Sequence, residues 1–454
     1  MAKKKQIELT IEEKLQNALV PKEEQPYKIP SNWCWLYSNF VVDVRDGTHD
    51  TPKYISEGYP LITSKNLKNN NIDFDKVNYI SKEDYEKINL RSKVDIGDVL
   101  FSMIGTIGNP VLIKGQTNYA IKNVALFKDI NLINMTFFRF YLETKFVIDK
   151  MKKEAKGSTQ KFVSLKYLRN FPICYPSLEE QQRIVNRIEF LFAKLDRAKE
   201  LIENTLAQFG QNKMAILHKA FIGELTAKWR KENNIDLSSW QEKTIDELCT
   251  SLKYGTSKKS NPEGSVVVLR MGNLQNGEID WSNLMYTDDK DDIEKYLLKK
   301  GDVLFNRTNS PELVGKTSIY RGEYPAIYAG YLIKLDYGKD IIGEYLNYMM
   351  NSTKAKHYCY TVKTDGVSQS NINAKKIGAF EIPVPTIEEQ QEIVNILDKL
   401  LAKYNKIKNL EQQLEKIELL KKAILAKAFR GELGTNNPDE ESAENLLKEI
   451  LAEK

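Results

Sequence analysis

The sequence predicts an α+β chain in which two similar α/β domains are separated by two long antiparallel coiled-coil helices, a pseudo-two-fold internal repeat. Three observations predict it. Pro176-Ser177-Leu178-Glu179-Glu180-Gln181-Gln182 recurs 209 residues later as Pro385-Thr386-Ile387-Glu388-Glu389-Gln390-Gln391. Each copy opens a long run of helical apolar period, closed by Lys219-Ala220-Phe221-Ile222-Gly223-Glu224-Leu225 and Lys427-Ala428-Phe429-Arg430-Gly431-Glu432-Leu433. Ahead of each run, Gly97-Asp98-Val99-Leu100-Phe101 recurs as Gly301-Asp302-Val303-Leu304-Phe305. The period is too long for a solenoid, so the repeated unit is a domain plus a helix.

The chain of 454 residues accommodates several domains. The repeat divides it into a lead-in and first domain (1–176), a central helix (177–230), a second domain (231–385), a C-terminal helix (386–433) and an acidic tail (434–454). The lead-in, Ser31-Asn32-Trp33, corresponds to Ser238-Ser239-Trp240, and Asp46-Gly47-Thr48 to Tyr254-Gly255-Thr256. Ser64-Lys65-Asn66-Leu67 with Ile72-Asp73-Phe74 aligns with Met271-Gly272-Asn273-Leu274 and Ile279-Asp280-Trp281. Short β-branched and aromatic runs broken by Gly, Asn and Asp predict strands and hairpins. Helical patterns fall near 134–153 and 340–358. The frame repeats while the segments between its matched pieces differ, as expected of two related targets read differently.

Ser177-x-x-Glu180 and Thr386-x-x-Glu389 read as capping boxes, in which the Glu side chain reaches back to the cap. The first seam runs through Ile188, Leu191, Leu195, Ala198, Ile202, Thr205, Phe209, Ile216 and Ala220, with Asn212 interrupting one position. The second runs through Leu397, Leu400, Tyr404, Ile407, Leu410, Leu414, Ile417, Leu420, Ile424 and Ala428, one residue short at 404–407–410. Gly223 and Gly431 stand where C-terminal glycines belong. Helices of about 45 residues span roughly 65–70 Å. The chain supplies its own partner helix, so an intramolecular antiparallel pair is expected.

Composition excludes several classes. No stretch approaches the roughly 18 apolar residues of a membrane span, and the Met-Ala-Lys-Lys-Lys start lacks a signal peptide's apolar run, so a cytoplasmic location is expected. Cys34, Cys174, Cys249 and Cys359 are scattered without a Cys-x-x-Cys pair and read as reduced thiols. Three histidines argue against His-based metal or nucleophilic chemistry. Ser310-x-x-x-x-Gly315-Lys316-Thr317 imitates a phosphate loop without its first glycine and reads as a strand-turn element. Neither a Gly-x-Ser-x-Gly elbow nor His-Glu-x-x-His occurs, and Glu143-x-Lys145 is a chance nuclease half-motif. The chain is expected to be non-catalytic.

A net charge of +5 is mild, so polyanion binding must rest on local surfaces. Each copy carries a basic stretch at the same place. Lys145, Lys150, Lys152, Lys153, Lys156 and Lys161 surround Gly157-Ser158-Thr159-Gln160. In the second, Lys354, Lys356 and Lys363, interleaved with His357, Tyr358 and Tyr360, lead into Gly366-Val367-Ser368-Gln369-Ser370-Asn371. Lysines suit phosphates, and short amides and hydroxyls suit base edges. A solvated helix face explains a single such run better than nucleic acid does; recurrence at matched positions in both copies brings the two readings level.

The whole chain resembles the specificity subunit of a Type I restriction–modification system. The resemblance rests on a variable α/β domain followed by a Pro-(Ser/Thr)-x-Glu-Glu-Gln-Gln helix, twice over. Ala18-Leu19-Val20-Pro21, Gln25-Pro26-Tyr27 and Ile29-Pro30-Ser31-Asn32-Trp33 at the start, and Gly-Glu-Leu after each helix, add to it. The resemblance implies that each domain is a target recognition domain reading one half of a split sequence in double-stranded DNA. It implies that the helices fix the unread spacer and dock two methyltransferase subunits, which methylate adenine N6 with S-adenosylmethionine. Separate restriction/translocase subunits use ATP and magnesium, and this chain itself binds no cofactor or metal. A related Type II-like or phage-defence subunit, or a coiled-coil scaffold binding protein at its ends, are the alternative readings.

Predicted loops at matched or polar variable positions nominate DNA-binding residues. They are Thr48, His49, Lys53, Lys65, Asn66, Gln160 and Lys161 in the first domain. In the second they are Thr256, Lys258, Lys259, Arg270, Asn273, Arg307, Asn309, Gln369 and Asn371. Asn66 and Asn273 share a strand-end frame and are equally suited to capping a turn. Leu225-Thr226-Ala227-Lys228 stands where family members vary a short tetrapeptide, and four added helical residues would lengthen a ruler by about 6 Å.

Overall fold

The computed structural model describes residues 10–157, 160–402 and 407–453. Ser158, Thr159, Tyr404 and the lysine-rich start lie outside the described residues. The chain forms two compact units: one takes it to Leu201 and resumes at Gln412, the other is Ile202–Glu411.

Each unit is built around a four-stranded antiparallel sheet. In unit 1 the strands are β1 (Val42–Asp46), β2 (Val99–Ser102), β3 (Gly108–Leu112) and β4 (Val124–Asp129), in the order β1-β4-β2-β3. In unit 2 they are β5 (Cys249–Tyr254), β6 (Val303–Asn306), β7 (Thr317–Ile319) and β8 (Leu332–Tyr337), in the order β5-β8-β6-β7. The recurrent Gly-Asp-Val-Leu-Phe thus supplies an inner strand each time, and its Val-Leu-Phe is fully buried in both copies. A smaller sheet repeats as well, with a parallel pair Leu61↔Ala120 in unit 1 and Val267↔Ala326 in unit 2. A third pairing closes each domain, Cys34–Tyr37 with Pro172–Tyr175 and Gln241–Thr244 with Glu381–Val384. The helical patterns resolve into Met135–Glu143 with Lys145–Glu154, and Gly343–Met350 with Thr353–Val362. Ser310-to-Thr317 is a strand-turn element: Gly315 N–H donates to the Asn306 carbonyl and Thr317 opens β7.

Helix α1 (Leu178–Phe221) is continuous; the second run forms α2 (Ile387–Ala402) and α3 (Ile407–Ala428). In unit 1, Asp196 meets Lys421 at 2.5 Å and Lys199 meets Glu418 at 3.1 Å, so α1 and α3 run antiparallel there. The expected seam is corrected at one position. Leu420 is 50% exposed, and Lys421 takes the inner place, its ammonium 5.2 Å from the Phe192 ring. The repeated Lys-Ala-Phe is a docking plug. Ala428 and Phe429 are buried in unit 1, with Phe429 4.9 Å from Phe137; Ala220 and Phe221 are buried in unit 2, with Phe221 5.3 Å from Tyr345. Gly223 and Gly431 then turn the chain at φ +82° and +74°, the left-handed region that favours glycine.

The Glu-Glu-Gln-Gln motif does something other than box its own cap. Ser177 Oγ accepts from Glu180 N–H at 3.2 Å and Thr386 Oγ1 from Glu389 N–H at 3.4 Å, which is half of each expected box. The Glu side chains turn elsewhere. Glu389, with no exposed surface, accepts from Thr226 Oγ1 and Arg230 Nη1, each at 2.6 Å, and from Trp240 Nε1 at 2.9 Å. Glu180, 1% exposed, accepts from Thr435 Oγ1 and Asn436 Nδ2, both at 3.2 Å, and from Arg183 at 3.3 Å. In each unit the residues just beyond one long helix are held by the start of the other. The first Gln of each motif is also buried: Gln181 Oε1 accepts from Asn134 N–H at 2.8 Å and Gln390 Oε1 from Ile342 N–H at 2.9 Å.

Two expectations change accordingly. Leu225–Lys228 does not continue α1, which ends at Phe221: Thr226 is fully buried on Glu389, and Ala227 opens a separate short helix, Ala227–Glu232. The tail is more than an acidic extension, because its helix Ala443–Glu453 buries Ala443 and Leu447, and Glu440 pairs with Arg183 at 2.7 Å.

Removing one member of a buried ion pair leaves the other charge uncompensated. Glu389→Ala should therefore cost about 3–5 kcal/mol, read as a lowered urea midpoint for unit 2, since Arg230 loses its carboxylate in the interior.

Candidate nucleic-acid interface

Antiparallel pairing places the end of β5, the start of β8 and the end of β6 along one edge of the unit 2 sheet. The chain leaves β5 through Gly255, where a Cβ would lie 2.0 Å from the Tyr328 carbonyl oxygen, so only glycine fits. Thr256 N–H donates to Tyr328 O (2.9 Å), Gly330 N–H to Thr256 O (2.7 Å) and Arg307 N–H to Tyr331 O (3.1 Å), which ties the three strand ends together. A hairpin, Thr364–Asp365 with Ser370–Asn371, adds to this edge by pairing Thr308↔Asn371 and Asn309↔Ser370. Its tip, Gly366 to Gln369, is exposed and closed by Gly366 N–H donating to Gln369 O at 2.8 Å.

This edge brings together Arg307, Asn309, Gln369 and Asn371. Arg307 Nη2 donates to Asn371 Oδ1 at 3.3 Å, and its guanidinium lies 4.8 Å from the Tyr254 ring centroid. Asn371 Nδ2 donates to Thr308 Oγ1 at 2.8 Å. The other nominated residues of unit 2 are differently employed. Thr256 is buried and donates to Asp292. Lys258 is paired with Asp289 at 2.6 Å and Asp292 at 3.4 Å, which raises its pKa and lowers that of Asp289. Lys259 is exposed. Arg270 Nη2 donates to Asn283 O at 2.6 Å. Asn273 is 3% exposed; it accepts from Arg270 N–H and donates to Asp280 O, both at 2.9 Å.

Unit 1 has the same edge with other chemistry. Gly47, where a Cβ would lie 2.3 Å from the Ile121 carbonyl oxygen, leads into Thr48, whose N–H donates to Ile121 O at 3.0 Å. His49 Nδ1 is 2.9 Å from Asn123 Oδ1 and its Nε2 2.9 Å from the buried Asp46 carboxylate, which Arg91 also contacts. Lys122 bonds Thr51, and Ser64 Oγ donates to Asn123 O at 3.2 Å, so the loops carrying Lys53 and Lys65 flank the His49 site. Farther along, Gly105 N–H donates to Lys161 O at 2.8 Å and Val163 N–H to Met103 O at 2.9 Å, which places Gln160 and Lys161 beside the end of β2. Lys53, Lys65, Gln160 and Lys161 are exposed.

Asn66 repeats the Asn273 arrangement. It is 6% exposed, accepts from Thr63 N–H and donates to Asp73 O, both at 3.0 Å. Both amides are consumed inside their own turns, so the capping alternative describes them. Sequence reasoning missed Lys122, Asn123, Tyr254 and Tyr331. The available signal was the recurrence of Ala120-Ile121 and Ala326-Ile327, after which Asn123 and Gly330 turn the chain into the buried strands β4 and β8.

Burial pushes the Cys34, Cys249 and Cys359 thiols up to about 12, and among the described residues no cluster of metal-ligating side chains occurs. Among those residues no helix is long and apolar enough to cross a membrane.

One frame built twice, with a different polar edge each time, defines a protein of paired recognition modules. The chain belongs to the family of Type I restriction–modification specificity subunits: the family described as "Type I restriction modification DNA specificity domain" matches residues 47–208 and 238–419. It is 25% identical over 453 residues to the Type I restriction enzyme EcoKI specificity subunit of Escherichia coli (strain K12), covering 94% of this chain and 96% of that one. It is 24% identical over 455 residues to the StySPI specificity subunit of Salmonella potsdam, covering 94% and 96%. A solved structure described as showing complex assembly and conformational transition of the type I R-M system shares the fold, with TM-score 0.66 at 19% identity, covering 90% of this chain and 100% of that one.

Stability separates the two kinds of nominated residue. Asn66→Ala and Asn273→Ala should each cost about 1–3 kcal/mol in chemical denaturation, because buried turn groups lose their partners. Lys65→Ala should stay within about 0.5 kcal/mol.

Proposed function

We propose that this chain reads an asymmetric, two-part sequence in double-stranded DNA, one part with each unit, and holds the other subunits of a Type I system around it. The observation that carries this reading is the matched edge. The sheets share strand order and entry glycine, while the side chains presented are Thr48, His49, Lys122 and Asn123 in one unit and Arg307, Asn309 and Asn371 in the other. A duplicated frame with unlike edges suits two unlike half-sites, where a symmetric dimer would read a palindrome. Backbone phosphates would be held by exposed lysines such as Lys53, Lys65, Lys161 and Lys259.

On this reading the chain performs no chemistry. Two methyltransferase subunits, using S-adenosylmethionine, would methylate adenine N6 after the base leaves the stack. Restriction/translocase subunits would bring ATP and magnesium. The long helices would dock the methyltransferases and set the unread spacer, and the complex would work in the cytoplasm.

Mobility shifts with duplex DNA, run with and without a methyltransferase partner, test the reading alongside methylome sequencing of cells carrying the system. The expected result is a sequence-dependent shift and methylated adenines in one motif of two unequal halves. Sequence-independent behaviour in both shifts would end the proposal. Lys53→Ala should weaken binding evenly across sequences and reduce the salt slope by about 1, the signature of a phosphate contact.

A further inference from the structure

Across the two units, the residue following the inner strand differs in kind. The register matches Met103, Ile104 and Phe162 of unit 1 with Arg307, Thr308 and Asn371 of unit 2: Val163 N–H donates to Met103 O as Ile372 N–H donates to Arg307 O, and Ile104 bridges Phe162 as Thr308 pairs Asn371. One frame position is therefore apolar in unit 1 and a hydrogen-bonding corner in unit 2.

Arg307 is built as a reader. Among the described residues no carboxylate lies within ion-pairing distance of it; Arg230 and Arg321 of the same unit are ion-paired, and Arg270, also without a carboxylate, donates to the Asn283 carbonyl. Its guanidinium carbon lies over the Tyr254 ring at 4.8 Å, and Tyr254 is itself anchored, its hydroxyl accepting from Ala374 N–H at 2.9 Å. One fork nitrogen is tethered to Asn371, whose amide is oriented by Thr308. Nε is buried without a partner, so neither that atom nor an ion pair explains the position. A guanidinium held over an aromatic ring and tethered to an amide, without an acidic partner among the described residues, matches the two major-groove acceptors of guanine, O6 and N7.

We propose that Arg307, positioned by Tyr254 and Asn371, reads a guanine in the half-site of unit 2, a contact the Met103–Ile104–Phe162 corner of unit 1 cannot make. This rests on the DNA-reading function proposed above. The methylome motif supplies the site. The full chain with its methyltransferase partner is then titrated against duplexes in which each guanine of that half-site is replaced in turn by 7-deazaguanine, which lacks N7 and still pairs. At one guanine the wild type should lose about tenfold, while Arg307→Ala, weakened about 5- to 150-fold on unmodified DNA, should show no further loss there. Arg307→Lys should not restore the preference, and Tyr254→Phe should retain it better than Tyr254→Ala. A half-site without a G·C pair overturns the proposal. So does equal 7-deazaguanine sensitivity of wild type and Arg307→Ala at every position, or a loss on Arg307→Ala that is equal for cognate and unrelated duplexes, which marks a phosphate contact. Those results leave sequence-specific binding intact; a wild-type complex that prefers no sequence removes the underlying function as well.

Discussion

A carboxylate taken out of water needs donors on its oxygens, and each unit closes around one that has them. In unit 2, Glu389 at the start of α2 gathers Thr226 and Arg230 from beyond the end of α1 and Trp240 from the approach to the domain. In unit 1, Glu180 at the start of α1 gathers Thr435 and Asn436 from beyond the end of α3. Burial pushes the Glu180 carboxyl above its usual range while those donors and Arg183 draw it back. The rest of each unit follows from this junction. It fixes where the helix leaves the domain, seats the Lys-Ala-Phe plug in the core, and holds the chain that enters the first strand.

The sheet edges depend on that frame without sharing its composition. Main-chain bonds between strand ends, and glycines at Gly47 and Gly255 where a side chain would strike a carbonyl, keep the backbone path alike in both copies. Side chains at the edge carry no packing duty of that kind, so His49 with Asn123 in one copy and Arg307 with Asn371 in the other are compatible with the same scaffold. Constraint in the backbone and freedom at the edge are what a recognition module requires.

Charge behaves similarly. Many lysines that look available in the sequence are engaged internally, Lys258 by two aspartates, Lys354 by Glu242 and Lys363 by Asp365. The mild net charge therefore conceals a narrower set of cations at the edges, and Arg307 is held there by Tyr254 and Asn371 with no acidic partner among the described residues.

The sequence by itself determined the duplication, the long helical runs and the strand content, because apolar period and turn chemistry are local properties repeated twice. It also named four residues, Arg307, Asn309, Gln369 and Asn371, that meet at one sheet edge of unit 2. Only the tertiary structure decided how polar side chains are spent. Asn66 and Asn273 look like ligands and are turn caps, Glu180 and Glu389 look like capping boxes and are clasps, and Leu420 yields its seam place to Lys421. The clasps turn on partners hundreds of residues away, and the turn caps and the seam on which way a side chain faces. A hydrogen bond or an ion pair belongs to two residues at once, and spacing along the chain specifies only one of them.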